Sequence, residues 1–170
     1  MQAPFKTRPR RRARGLLLGM VALALALDQV TKELVRTNLE RGDFWPSQDW
    51  PVRVHHVTNT GAAFGILKDQ TGFLIITALL GVAAILLYYR NPPIQHLSVP
   101  IAVGMMLGGA VGNLADRIRL GHVTDFIDFP MWPAFNVADA SIVVAVAVLI
   151  AAYTLRLAGG QGTQAPDVPP

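Results

Sequence analysis

Long apolar runs alternate along the chain with short polar ones, and the runs are longer than a soluble core requires. "TGFLIITALLGVAAILLYY" (71–89) and "LSVPIAVGMMLGGAVGNLA" (97–115) carry no charged residue. Two further runs, 15–35 and 137–155, are apolar apart from Asp28, Lys32 and Glu33 in the first and Asp139 in the last. A helix needs about 20 apolar residues to cross roughly 30 Å of hydrocarbon, so the pattern predicts four transmembrane helices. The segments 36–70 and 116–135 form the two longer loops between them. "VRVHHV" (52–57) in the first loop has the β-branched residues of a short strand. Gly104, Gly108 and Gly112 recur every four residues on the third run, a face of small side chains that lets another helix approach closely.

Composition agrees with the pattern. Hydrophobic residues make up 52% of the 170 residues and charged ones 15%, where a soluble domain carries about 25% charged; mean hydropathy is +0.38. The net charge of +4 is unevenly spread. Six of the 15 basic residues lie in "MQAPFKTRPRRRAR" (1–14), leaving nine against 11 acidic groups in the rest. No basic surface survives outside that tail, which excludes a nucleic-acid partner. A basic tail beside an apolar run holds an N-terminus in the cytoplasm. Four spans then return the C-terminus to the same side and leave 36–70 and 116–135 outside. The expected organisation is a basic cytoplasmic tail (1–14), one membrane-embedded domain (15–157) and a Gly/Pro-rich, disordered cytoplasmic tail (158–170). A competing reading takes the basic start, "LLLGMVALALA" and Ala24-Leu25-Ala26 as a secretory signal peptide. The spans that follow make an uncleaved first helix equally natural.

Several chemistries are excluded early. The chain has no cysteine, so disulfides, thiolate metal sites and cysteine nucleophiles are out. His55, His56, His96 and His122 are scattered and no H-E-x-x-H occurs, so no metal is expected.

The polar residues that interrupt the spans gather at one face of the bilayer. Asp28 and Lys32 are i, i+4 on the first span and share a helix face. Asn113, Asp116 and Arg117 sit at the outer end of the third, and Asn136 and Asp139 at the outer start of the fourth. Asp125 lies in the short segment between those two spans, and Asn59 in the first outer loop. Each group has a plain structural explanation. Asn136 can be a helix cap with Asp139 in the first turn, Lys32 can snorkel beside Asp28, and Asp116 can pair with Arg117 or Arg119. Convergence favours function, because ionisable groups at membrane depth mark working sites. Two carboxylates brought together, such as Asp125 and Asp139, cannot easily both ionise and hold one proton between them. The ionised member can then activate a water while the protonated one donates, the division of labour of an aspartic protease. A proton-coupled transporter using the aspartates as a relay is the alternative from another class. It would need polar residues along a path through the bilayer, and the second span has none. Ser141 and Lys32 could suggest a serine protease, but nothing places them together and no G-x-S-x-G occurs.

The successive segments "DQVTK" (28–32), "NTGAAFG" (59–65), "GNLADR" (112–117), "VTDFID" (123–128) and "FNVAD" (135–139) resemble, in order and spacing, the boxes of bacterial lipoprotein signal peptidase, the signal peptidase II family. The resemblance implies an all-α integral membrane protein of four transmembrane helices with a small extracytoplasmic β-rich element. It implies an aspartic endopeptidase of the bacterial inner membrane that needs no cofactor and works as a monomer. Its partners would be membrane lipids and diacylglyceryl-modified prolipoproteins, cut before the lipidated cysteine. Asp125 and Asp139 match the family's catalytic aspartates. Asp28, Lys32, Asn59, Gly61, Asn113, Arg117, Asn136 and Ala138 match its substrate-binding or supporting positions, and Asp116 an orienting one. Thr124 stands where many members have valine. Asp128 is the one rival for Asp125, and the resemblance favours Asp125.

Overall fold

The computed structural model describes residues 8–61, 67, 69–92 and 96–160. The first seven residues of the basic tail, positions 62–65 of the second box and positions 161–170 of the C-terminal tail lie outside the described residues. Four long helices dominate: α1 (Arg8–Asn38), α2 (Thr71–Arg90), α3 (Ser98–Leu120) and α4 (Val137–Gly160). Each contains a stretch long and apolar enough to cross a membrane. Four short strands complete the fold, β1 (Phe44–Trp45), β2 (Arg53–Asn59), β3 (Val123–Phe129) and β4 (Trp132–Phe135).

α2 begins and ends within a residue of its apolar run, and α3 begins within a residue of its own. The other boundaries differ. α1 starts at Arg8 rather than Gly15, because arginine and alanine are good helix formers and a helix need not stop where hydrocarbon does. α3 continues past the expected 115 to Leu120 and ends on Gly121, whose φ of 78° is the left-handed conformation of a helix C-terminus. The segment 116–135 is therefore not a loop: it holds the last turn of α3 and a β-hairpin. α4 continues through Gly160, three residues into the stretch expected to be disordered.

α3 is the buried centre of the bundle. Gly104, Gly108 and Gly112 meet α1 so closely that a side chain at Gly108 would sit 2.7 Å from the Ala24 methyl and the Val21 carbonyl oxygen. Gly109 turns toward α4, where a Cβ would meet the Ala138 carbonyl oxygen at 2.5 Å. Ala24 is thus packing surface and buried, whereas Ala26 is exposed. α2 contributes one buried residue, Leu74, packs Val82 and Ile85 against α3, and turns Phe73, Ile76, Leu80 and Leu87 outward, as a lipid-facing helix should. An apolar cluster of Val99, Val103 and Leu107 closes one end of the bundle.

The strands form one antiparallel sheet in the order β1-β2-β3-β4 at the opposite end. β2 comes from the first long connection and β3 from the second, so their pairing ties the two together: Arg53 faces Asp128, Val57 faces Asp125 and Asn59 faces Val123. The strand expected at 52–57 is realised as β2, shifted slightly toward Asn59.

Candidate active site

α4 is capped in a way that explains an aspartate at the start of a membrane helix. The Asp139 amide donates to Asn136 Oδ1 (3.0 Å) and the Asn136 amide donates to Asp139 Oδ2 (3.3 Å), a reciprocal capping box. The next free amide of that first turn, on Ala138, donates to Asp28 Oδ1 at 3.0 Å. A residue of the first span therefore caps the last one, and Ala138 is fully buried at the junction. The plain reading of Asp139 as a first-turn residue holds, and the same geometry brings it to Asp125.

Asp125 arrives on β3. Asn136 Nδ2 donates to Asp125 Oδ1 at 2.6 Å, and Asn59 Nδ2, from β2, donates to Asp125 Oδ2 at 2.8 Å. Both carboxylates are thus bonded to one residue, Asn136. Burial pushes the Asp125 carboxyl up to about 6; the Asn59 and Asn136 hydrogen bonds oppose this, and the Asp139 charge reinforces it. Asp139 also accepts from Asn113 Nδ2 at 2.8 Å. Arg117 supplies a positive charge felt by Asp139, Asp125 and Asp116, and it donates to the Gly61 carbonyl at 3.3 Å. The Gly61 amide in turn donates to Asn59 Oδ1 at 2.9 Å. Asn59, Asn113 and Asn136 bond the two aspartates, and Gly61 and Arg117 lie beside them through Asn59.

Behind them lies a buried charge cluster. Lys32 Nζ spends its three donors on Asn113 Oδ1 (2.8 Å), Asp28 Oδ2 (2.9 Å) and Asp116 Oδ2 (3.2 Å). Lys32, Asp28 and Asp116 are fully buried, so Lys32 does not snorkel to the interface. Asp116 pairs with Lys32 and, through its other oxygen, with Arg36 at 2.9 Å, and not with Arg117 or Arg119. Consecutive residues on a helix point about 100° apart, so Asp116 faces α1 while Arg117 faces the aspartates. Two acids and two bases make this cluster neutral. Among the described residues no buried side-chain nitrogen or oxygen lacks a partner.

Asp128 stands elsewhere. Arg53 Nε reaches its Oδ2 at 2.6 Å and His55 Nδ1 lies 3.4 Å from the same oxygen. Burial holds the His55 ring below its usual basicity, against the pull of Asp128. The pair ties β2 to β3 and takes no part in the aspartate cluster. Sequence reasoning assigned no role to Gln29 or Arg36, both of which bond Asp116. A signal existed for Arg36, since Asp28, Lys32 and Arg36 are i, i+4, i+8 on one helix face. Among the described residues no group of three or more His, Asp or Glu side chains is disposed to hold a metal ion.

Comparison with known proteins agrees with this geometry. A family model described as signal peptidase (SPase) II matches residues 20–155, the stretch holding every residue of the cluster. A lipoprotein signal peptidase of Moorella thermoacetica is 40% identical over 154 residues, covering 88% of this chain and 97% of its own. One from Caldanaerobacter subterraneus subsp. tengcongensis is 42% identical over 148 residues, covering 83% and 96%. A solved bacterial membrane enzyme superposes with a TM-score of 0.77 at 28% identity, covering 91% of this chain and 95% of that one. Four membrane-crossing helices, the sheet at one end and the match across 20–155 together make the chain a multi-pass membrane peptidase that belongs to the signal peptidase II family.

Proposed function

We propose that the chain is an aspartic endopeptidase that removes signal peptides from diacylglyceryl-modified prolipoproteins, cutting before the lipidated cysteine. The observation that carries this reading is the pair of buried carboxylates bonded to the same asparagine, Asp125 at 2.6 Å and Asp139 through its reciprocal cap. Relatives named lipoprotein signal peptidase supply the substrate class.

Asp125 and Asp139 work as the catalytic pair with one proton between them. Both ionised would leave two negative charges beside a single Arg117; one proton leaves one. The ionised member takes a proton from a water as the water attacks the scissile carbonyl. The protonated member donates to the carbonyl oxygen; the proton taken from the water then passes to the amine nitrogen as the C–N bond breaks, and the carbonyl re-forms by returning its proton to the other carboxylate. Asn136, Asn113 and Asn59 hold the carboxylates in register. Arg117, Gly61 and Asn59 tie the pair to the end of β2. The diacylglyceryl chains stay in the bilayer while the peptide reaches the polar end of the bundle, and each buried methylene contributes roughly 0.8 kcal/mol. The protein sits in the bacterial inner membrane as a monomer with both termini cytoplasmic. The sheet and the aspartates then lie on the extracytoplasmic side, consistent with the basic tail before α1.

The test is incubation of the purified protein with a prolipoprotein in its diacylglyceryl-modified and unmodified forms. Mass spectrometry should find the modified cysteine as the new N-terminus, and the unmodified form should be cut far more slowly. Equal turnover of both would point to a general signal peptidase. Because the chain has no native cysteine, Gln48→Cys and Ala165→Cys report sidedness directly. An outside-only thiol reagent should label the first and spare the second.

A further inference from the structure

The guanidinium of Arg36 divides its three nitrogens among three acceptors. Nη1 meets Glu33 Oε2 at 3.1 Å, Nη2 meets Asp116 Oδ1 at 2.9 Å, and Nε donates to Thr124 Oγ1 at 2.9 Å. Thr124 is fully buried and immediately precedes Asp125 on β3. Its own amide donates to the second Asp116 oxygen at 3.3 Å. β3 is therefore gripped twice at one residue, once by its backbone and once by its hydroxyl, from α3 and α1. Successive strand side chains point to opposite faces. Holding Thr124 toward α1 thus fixes the height and roll at which Asp125 is presented toward α4.

We infer that Arg36 and Thr124 are positioning residues, acting together through β3 to set the Asp125 carboxylate against Asp139. The inference rests on the reading of Asp125 and Asp139 as the catalytic pair. Neither Arg36 nor Thr124 bonds either carboxylate, so their effect passes through the backbone. The arrangement demands a forked cation: a lysine at 36 would keep the charge but could not serve Asp116 and Thr124 in the same plane. With arginine at 36 it also calls for a hydroxyl at 124, where many members of the family have valine, since valine has the same shape and leaves this chain's Nε facing a methyl group.

Kinetics of the purified full-length chain on a diacylglyceryl-modified prolipoprotein test this, with thermal unfolding followed in the same detergent. Thr124→Val should lower kcat about tenfold, since small misplacement of a reacting group is costly. KM should stay within about twofold, because substrate contacts are untouched. Thr124→Ser restores the hydroxyl and should recover most of the rate. Arg36→Lys should be slowed like Thr124→Val, and combining it with Thr124→Val should slow the enzyme little further, because both remove one link. Full-speed Thr124→Val, or Thr124→Ser as slow as Thr124→Val, overturns the inference. If Thr124→Val fails to fold, Arg36→Lys beside Thr124→Ser decides by the same comparison. Asp125→Asn separates the two levels. An inactive Asp125→Asn with full-speed Thr124→Val removes only the positioning role, whereas an active Asp125→Asn removes the catalytic reading and this inference with it.

Discussion

At one end of α3, Val99, Val103 and Leu107 pack against Leu17 and Val21 of α1, Val82 and Ile85 of α2, and Leu149 of α4. At the other end Gly112, Asn113 and Asp116 meet Asp28 and Lys32 of α1 and the capped start of α4. The same bundle is held by dispersion at one end and by a closed polar network at the other. Lipid is as apolar as leucine, so the first end gains little from burial as such and relies on close fit. At the second end Asp28, Lys32 and Asp116 are fully buried, and each of their polar atoms must find a partner inside the protein. That requirement leaves few alternative arrangements. A pair of carboxylates that must stay in register is best placed where every neighbour is already committed.

The largest effect expected is on activity at the polar end. Asp125→Asn or Asp139→Asn should lower kcat by about 10³-fold or more, and the double variant should be little worse, because groups acting as a unit are non-additive. Both variants should remain folded, since an amide is cheaper to bury than a charge. Near-normal cleavage by either would remove the distinction between the two ends. Asp128→Asn, by contrast, should leave substantial activity and loosen the sheet.

Lys32→Met should break the polar end as a structure. It leaves Asp28 and Asp116 buried without their shared cation, a loss of about 3–5 kcal/mol. Unfolding in a mixed detergent titration measures it, and a variant as stable as the parent would show that the cluster is not holding the helices. Leu107→Ala is the matched change at the apolar end. It should cost about 1–2 kcal/mol, at or below the low end for a core truncation because lipid replaces part of the lost contact. Its kcat should stay within about twofold; a large drop there would mean that the two ends communicate.

The smallest effect is a shift in pH dependence. With Asp125 pushed up to about 6 by burial, the pair loses its shared proton as pH rises, so kcat/KM should fall on the alkaline side. The limb belongs to the pair rather than to one residue. The Asn59 hydrogen bond favours the ionised Asp125, so Asn59→Ala should raise the carboxyl further and move that limb to higher pH by about one unit. A limb that stays in place, measured on the same substrate, would mean that Asn59 does not act on the titration.

Much of this was legible from the chain because membrane spans and acidic interruptions leave strong patterns. The uncharged runs located α2 and the start of α3 within a residue. Five ordered boxes brought Asp125 and Asp139 together before any geometry was known. The rest is hidden because polar residues inside an element resemble its ends. Asp116 and Arg117 suggested a loop, whereas their helix continues until Gly121 supplies the left-handed turn. The hairpin of β3 and β4 was hidden for the same reason, since "VTDFIDF" is buried on both faces and lacks clean polar alternation. Cross-strand partners such as Arg53 and Asp128, 75 residues apart, leave no local trace at all.

The Asp28–Lys32 contact closes within a single helix, and this bears on how the protein is made. A chain inserted from its N-terminus commits α1 to the bilayer before α3 and α4 exist. By carrying acid and base one turn apart, the first span can cross with these two charges already paired. Its spare bonding capacity then waits in chain order: Lys32 for Asn113 and Asp116 on α3, and Asp28 Oδ1 for the Ala138 amide on α4. Asp139 is the last acidic group of the cluster to arrive, and Asn113 is already in place to receive it. On the proposed catalytic reading, the pair is complete only when the fourth helix docks, and a nascent chain with three helices holds Asp125 without Asp139.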